Sequence, residues 1–338
     1  MQKFRAAVIA ATLAIMFFIP MSVMGIYAEE IIEEVPKTEE NEPLILEEDI
    51  YEAEEDDADF FRIYDIESEK IFNVSYSDYV KGAIASEMGA NFEFDALVAQ
   101  GIAAFSCALY QKEARTAADY DISAAPNKKL GYMTEEKAKE VYGAAFDEKW
   151  GIICSAAEKA LCYVLTYNGE PALTVYHAIS AGKTESCENV WNGALPYLIS
   201  VESDGDKLAE GYKSEVIVPE KEVLELLNKN GAGLSGAYPE DWFSGAVYTD
   251  AGYVDSIKIG AATFSGEKLR SLFSLRSASF DVEYKNGEFI FTVYGYGHGV
   301  GLSQVGANYM AKNGADFMEI LAHYYPGTEL LEYGEVYG

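Results

Sequence analysis

Five glycines fall between Tyr294 and Ala307, and four of them, Gly295, Gly297, Gly299 and Gly301, alternate with single residues. Inside a helix or strand each glycine costs roughly 0.5–1 kcal/mol relative to alanine, so such a run does not serve the stability of a regular element. It sets an unusual backbone shape or admits the close approach of a ligand. In its middle stands His298, one of only three histidines in 338 residues.

A chain with 49% hydrophobic and 13% aromatic residues can bury a sizeable core, in one large or two moderate domains. Its net charge of −31 argues against nucleic acid, whose phosphates it would repel. Much of that charge is local. Residues 29–59 are about half Asp or Glu, with Lys37 the only base and Pro36 and Pro43 breaking any helix, which predicts an extended, self-repelling tether. Ahead of it, Lys3 and Arg5 precede an apolar run from Ala6 to Tyr27. That run exceeds the roughly 7–15 residues of a signal-peptide core and approaches the ~20 that cross a bilayer. Residues 1–28 therefore read as a transmembrane anchor, with a signal peptide cleaved after Ala28 as the alternative. Either way the body, residues 60–338, lies outside the cytoplasmic membrane, because the basic residues precede the span. Cys107, Cys154, Cys162 and Cys187 are four thiols in a compartment that permits disulfides, but none forms a CxxC pair. Neither a bridge nor a metal is expected from them.

Along the body, Phe60 to Val74 alternates apolar and polar residues as a strand or two would. Ser77 reads as the N-cap of a helix running to about Met88. Its buried face is Val80, Ala83, Ile84 and Met88, and Glu87, seven residues after Val80, projects from that same face. A carboxylate on an apolar face is either paired or neutralised by a raised pKa. A second helix, Asp95 to about Lys112, is apolar almost all round and should be central. Residues 115–135 read as a polar surface excursion, and two helices should follow between Thr134 and Cys162. Asn168-Gly169 predicts a type I′ hairpin between strands Tyr163–Tyr167 and Ala172–His177. A strand and then a helix, Pro219 to Asn228, are expected next, and Val247 to Val293 reads as short strands with turns at Ala251-Gly252 and Asn286-Gly287.

Between Val175 and Leu198 a strand end opens into a loop of small residues dense in hydroxyls, with an amide, an imidazole and an indole. Such groups suit sugar recognition: hydroxyls and amides match a sugar's hydrogen bonds, and aromatic faces cover its apolar side. Polar loops are common, however, and any one histidine is more often structural than catalytic. No G-x-S-x-G, HExxH or P-loop is present.

Three segments occur in a telling order: Tyr79–Met88 with Phe94–Gln100; Val175–Trp191 with Leu195–Leu198; and Tyr294–Ala307 with His323–Glu329. Together they resemble the stage II sporulation protein D family and its amidase-enhancer relatives. The resemblance implies an α+β body of mixed sheets and buried helices, whose three blocks converge on an elongated substrate cleft. It implies a lytic transglycosylase that cleaves peptide-stripped peptidoglycan glycan strands between N-acetylmuramic acid and N-acetylglucosamine, leaving 1,6-anhydro ends. Glu87 matches the catalytic acid; His177, Ser180, Thr184, Glu185, Trp191, Tyr197, Tyr296, His298 and Gln304 would bind substrate or shape the site. No cofactor is implied, and the metal ligands that some relatives carry are missing, since no His or Cys occurs between Cys107 and Cys154. Partners would be the glycan strands, the membrane, a cell-wall amidase and other sporulation membrane proteins. A non-catalytic enhancer of an amidase is the alternative. Four positions depart from the pattern: Val98 and Phe105 stand where a lysine and an arginine are usual, Ala181 replaces a glycine and Val305 an aromatic.

Overall fold

The computed structural model describes residues 59–114, 119–128, 131–191, 193–235 and 238–337. The anchor expected at 1–28 and all of the tether but Asp59 lie outside the described residues. Among the described residues no helix is long and apolar enough to cross a membrane.

Strands β1 (Phe60–Asp65) and β2 (Lys70–Ser75) form an antiparallel hairpin, and the chain turns at once into helix α1 (Tyr76–Glu87). Ser75, rather than the expected Ser77, caps α1: its Oγ accepts from the Asp78 amide at 3.0 Å. Helix α2 (Phe94–Ala114) is buried without a break from Ala96 to Leu109 and runs through the middle of the larger core. The segment expected as a surface excursion is partly interior. Its strand β3 (Ile122–Ala124) joins β1 in parallel, and Asp121 is fully buried against Arg62 at 2.6 Å. A single buried ion pair thus turns a polar stretch inward.

Helices α3 (Glu135–Tyr142) and α4 (Phe146–Ala160) follow, then β4 (Tyr163–Tyr167) and β5 (Glu170–Pro171). Asn168 and Gly169 take φ of 58° and 81°, as the Asn-Gly hairpin requires. The continuous strand expected over Ala172–His177 does not form, because side chains claim its backbone: Leu173 N–H donates to the Tyr197 hydroxyl at 2.9 Å. Two residues, β6 (Tyr176–His177), resume as a strand and pair in parallel with Leu302–Ser303. One helical turn, α5 (Cys187–Val190), lies in the loop beyond.

Next come β7 (Lys213–Pro219), α6 (Glu220–Lys229), β8 (Phe243–Tyr248), β9 (Val254–Ile259), β10 (Ala262–Phe264), α7 (Gly266–Phe273), β11 (Phe280–Lys285) and β12 (Glu288–Tyr294). Helix α7 departs from the all-strand reading of Val247–Val293. Its signal was Ser265, whose Oγ caps the Lys268 amide at 3.2 Å. The chain closes with β13 (Leu302–Ser303), α8 (Gln304–Lys312), α9 (Phe317–Tyr324), β14 (Glu329–Glu332) and α10 (Tyr333–Tyr337).

The fold is α+β, with small sheets ordered β2-β1-β3, β14-β4-β5, β13-β6, β10-β9-β8 and β11-β12-β7 among the described residues. Two large cores result. One surrounds α2; the other, from Val218 to Val293, belongs to the stretch between the second and third sequence blocks. Val98 and Phe105 are 0% and 1% exposed in the first core, where the Phe105 ring meets Tyr76 at 5.2 Å and Tyr333 at 5.7 Å. At both positions an apolar residue fills space in which a charged one would need a buried partner.

Candidate active site

Glu87 is the last residue of α1, with no basic side chain in that turn. The carbonyl end of a helix disfavours a negative charge. The residue is half-buried, so it stays open to a ligand, yet the protein around its carboxyl pushes the pKa from 4.5 up to about 7. Burial is the cause, opposed by a hydrogen bond from Gln304, whose Nε2 donates to Oε2 at 3.4 Å. The same nitrogen lies 3.4 Å from Gln100 Oε1 on α2. Both glutamines are buried, and Gln100 Nε2 has no partner. An unpaired buried donor costs about 1–3 kcal/mol, so a reason for it is to be sought in the site.

Gln304 opens α8, and Ser303 before it lies beside His177 in the β13–β6 pair. That register brings the second and third sequence blocks together, and Gln304 reaches from the third to Glu87 in the first. His177 is fully buried; its Nδ1 donates to the Val300 carbonyl at 3.1 Å, and Nε2 has no partner. Burial lowers its pKa to about 4, leaving a neutral ring whose Nε2 is a bare acceptor. Its ring centre lies 5.7 Å from that of His298, which in turn lies 5.1 Å from that of Trp191. His298 Nδ1 accepts from the Val300 amide at 3.1 Å. Burial first, then the His177 ring and the Arg270 guanidinium, hold His298 well below its ordinary range.

The glycine run serves backbone shape and close approach, but what approaches is the protein itself. Gly297 has φ of 118°, and a Cβ there would lie 2.7 Å from the His177 Cβ. At Gly301, φ 71°, a Cβ would strike the Val175 carbonyl. The third block can therefore lie along the second only without side chains at these positions.

Four residues expected to bind substrate are hydrogen-bonded within the protein. The Ser180 hydroxyl and amide both donate to Asp206 Oδ2, at 2.5 and 2.9 Å, while Ser303 Oγ donates to Oδ1 at 2.8 Å. Fully buried Asp206 thus ties the end of the second block to the start of α8. Thr184 Oγ1 accepts from the Val201 amide at 2.8 Å. Glu185 accepts from the Ser186 amide and Asn189 Nδ2, both at 2.8 Å, and from Thr249 Oγ1 at 2.5 Å. Tyr197 is 3% exposed and accepts from Leu173. Buried polar groups need internal partners, so a hydroxyl-rich loop became a hydrogen-bonded frame. Tyr296, 9% exposed, lies under the Arg276 guanidinium at 4.8 Å. His323 is apart from this cluster, its Nε2 at 2.7 Å from the Glu202 carbonyl.

Sequence reasoning missed Gln100, Asp206, Thr249 and Tyr253. Gln100 alone had a signal, being one of two polar side chains, with Ser106, amid the apolar middle turns of α2. The turn holding Thr249 and Tyr253 docks the second core on the site: Ala181 N–H donates to the Tyr253 hydroxyl at 3.0 Å. Among the described residues no group of three or more His, Cys, Asp or Glu could hold a metal ion. What remains is a carboxyl able to carry a proton, two neutral imidazoles, an indole and a pair of amides, a set of groups suited to proton transfer beside a polar ligand.

Residues 64–167 match the family described as stage II sporulation protein. The chain is 31% identical over 278 residues to stage II sporulation protein D of Bacillus subtilis, covering 80% of this chain and 78% of that one. It is 31% identical over 274 residues to the protein of the same name from Bacillus amyloliquefaciens, with the same coverage. A protein named amidase enhancer, also from Bacillus subtilis, is 26% identical over 314 residues, which span 75% of this chain and 40% of that protein. With 31% identity over 80% of its length and 78% of the Bacillus subtilis protein, the chain belongs to the stage II sporulation protein D family.

Proposed function

We propose that this protein is a peptidoglycan lytic transglycosylase acting on peptide-stripped glycan strands. The observation that carries the reading is Glu87, a carboxyl that burial alone leaves partly protonated at neutral pH. Glycosidases ordinarily divide acid and base between two carboxyl groups. A lytic transglycosylase can use one. Glu87 gives its proton to the glycosidic oxygen as the bond to C1 of N-acetylmuramic acid breaks and the N-acetylglucosamine hydroxyl leaves. The resulting carboxylate takes the proton of the muramic acid 6-hydroxyl as that oxygen bonds to C1. The 1,6-anhydro ring closes without water, and Glu87 ends protonated. A pKa near 7 suits both steps. Trp191, whose ring centre lies 5.1 Å from that of His298, would cover an apolar face of the sugar in an elongated cleft. With residues 1–28 as anchor and 29–59 as tether, the body would work outside the cytoplasm, beside an amidase that strips peptides and other sporulation membrane proteins.

The test is incubation of the purified protein with peptide-stripped strands and mass spectrometry for anhydro ends, with Glu87→Gln as the control. The amidase-enhancer relative and the apolar Val98 and Phe105 favour a second reading, a glycan-binding partner of an amidase. Strand binding with no anhydro ends from the unaltered protein would select it.

A further inference from the structure

We propose that Gln100 is a positioning residue of the candidate acid: by accepting from Gln304 it makes Gln304 turn its N–H, and not its carbonyl, toward Glu87. The inference rests on the lytic reading only for its purpose. A primary amide has a donor end and an acceptor end of nearly equal size, and nothing in Glu87 alone chooses between them. Gln304 Nε2 stands 3.4 Å from both Glu87 Oε2 and Gln100 Oε1. Turned over, its oxygen would face two oxygens, unless Glu87 carried its proton on Oε2 and pointed it at Gln304. The proton would then sit where a substrate does not reach it. With N–H inward, Oε2 is an acceptor and the proton is carried by Oε1.

The surrounding frame leaves Gln304 only this freedom. Its helix start is capped by Ser303, which accepts from Gly306 N–H at 3.2 Å and is itself held by Asp206. Gln100, 0% exposed on the central helix, presents its oxygen to Gln304, and among the described residues its own Nε2 meets no partner. The ionisable groups that feel the Glu87 charge do not compete: Tyr79 on α1 and Tyr176 on β6 are phenols pushed far above neutrality by burial.

The experiment is a ¹³C-carboxyl NMR titration of Glu87 in the purified protein, its resonance assigned by its loss in Glu87→Gln. The unaltered protein should titrate near pH 7. Gln100→Met, similar in volume but without the acceptor, frees Gln304 to turn its carbonyl to the protonated acid, so the ionisation constant should fall roughly tenfold. Gln304→Met removes the donor and should also raise the midpoint. In a Gln100→Met/Gln304→Met double variant the Gln100 change should add nothing, because it acts through Gln304. An unmoved midpoint in folded Gln100→Met, or an equal further shift in the Gln304→Met background, overturns the proposal. Should Gln100→Met fail to fold, Gln100→Asn withdraws the same amide by one methylene and must move the midpoint in the same direction. The titration needs no substrate, so absence of anhydro ends would sink the lytic reading and leave this result standing.

Discussion

Replacing Glu87 with glutamine keeps the shape of the side chain and abolishes its ionisation, which gives a stability effect that depends on pH and on no substrate. Below about pH 4.5 the glutamate is protonated in both the folded and unfolded chain, so burial costs it little. Between 4.5 and about 7 the unfolded chain has lost the proton while the folded one keeps it, and stability falls as pH rises. Above 7 both forms are ionised and the full penalty is present. At about 1.4 kcal/mol per pH unit the gap amounts to something on the order of 3 kcal/mol. Partial exposure screens part of it, and for a body of this size each kcal/mol moves the melting temperature by roughly 2–4 °C. Glu87→Gln should therefore melt several degrees above the unaltered protein at pH 8 and together with it at pH 4.5, by scanning fluorimetry. An equal offset at both pH values, or none at pH 8, would refute burial of an ionisable carboxyl as the cause.

Glu87→Gln should lower release of anhydro ends by roughly 10²–10⁴-fold with strand binding retained, measured by mass spectrometry and co-sedimentation. In the unaltered protein the same release should decline as pH rises through about 7, since the acid must start protonated. Gly297→Ala should destabilise the fold by about 1–3 kcal/mol in chemical denaturation, because it forces a side chain into positive φ against His177. Affinity for stripped strands, which carry carboxylates, should rise with added salt on a chain of net charge −31. A fall with salt would indicate a cationic groove instead.

Periodicity located α1 and α2 because a buried helix face leaves a spacing that survives tertiary context. The Asn168-Gly169 and Asn286-Gly287 turns were legible because only such residues accept paired positive φ at low cost. Glu87 was legible for a related reason, as a charge placed on an apolar stripe. The roles of Ser180, Thr184, Glu185 and Tyr197 were not. A hydroxyl or carboxyl in a polar loop looks the same in sequence whether it meets a ligand or a distant backbone, and their partners Asp206, Val201, Thr249 and Leu173 are up to 64 residues away. Likewise nothing local marks Asp121 as the partner of Arg62 that draws β3 into the first sheet.

These internal hydrogen bonds explain how a highly acidic chain builds a neutral site. Asp206 and Glu185 are buried carboxyls that would disrupt the region if left unpaired, but each accepts three hydrogen bonds from the loops it joins. Saturated in this way, they fix the second block to α8 and to the turn at Thr249. Glu87, His177 and His298 are then governed mainly by desolvation, which protonates the carboxyl and deprotonates the imidazoles. One physical cause thus acts in opposite directions on two kinds of group and leaves all three uncharged together near pH 6 to 7. A carboxyl kept protonated by burial, with the uncharged amide of Gln304 as its hydrogen-bond partner, is the state from which a single carboxyl can serve first as acid and then as base.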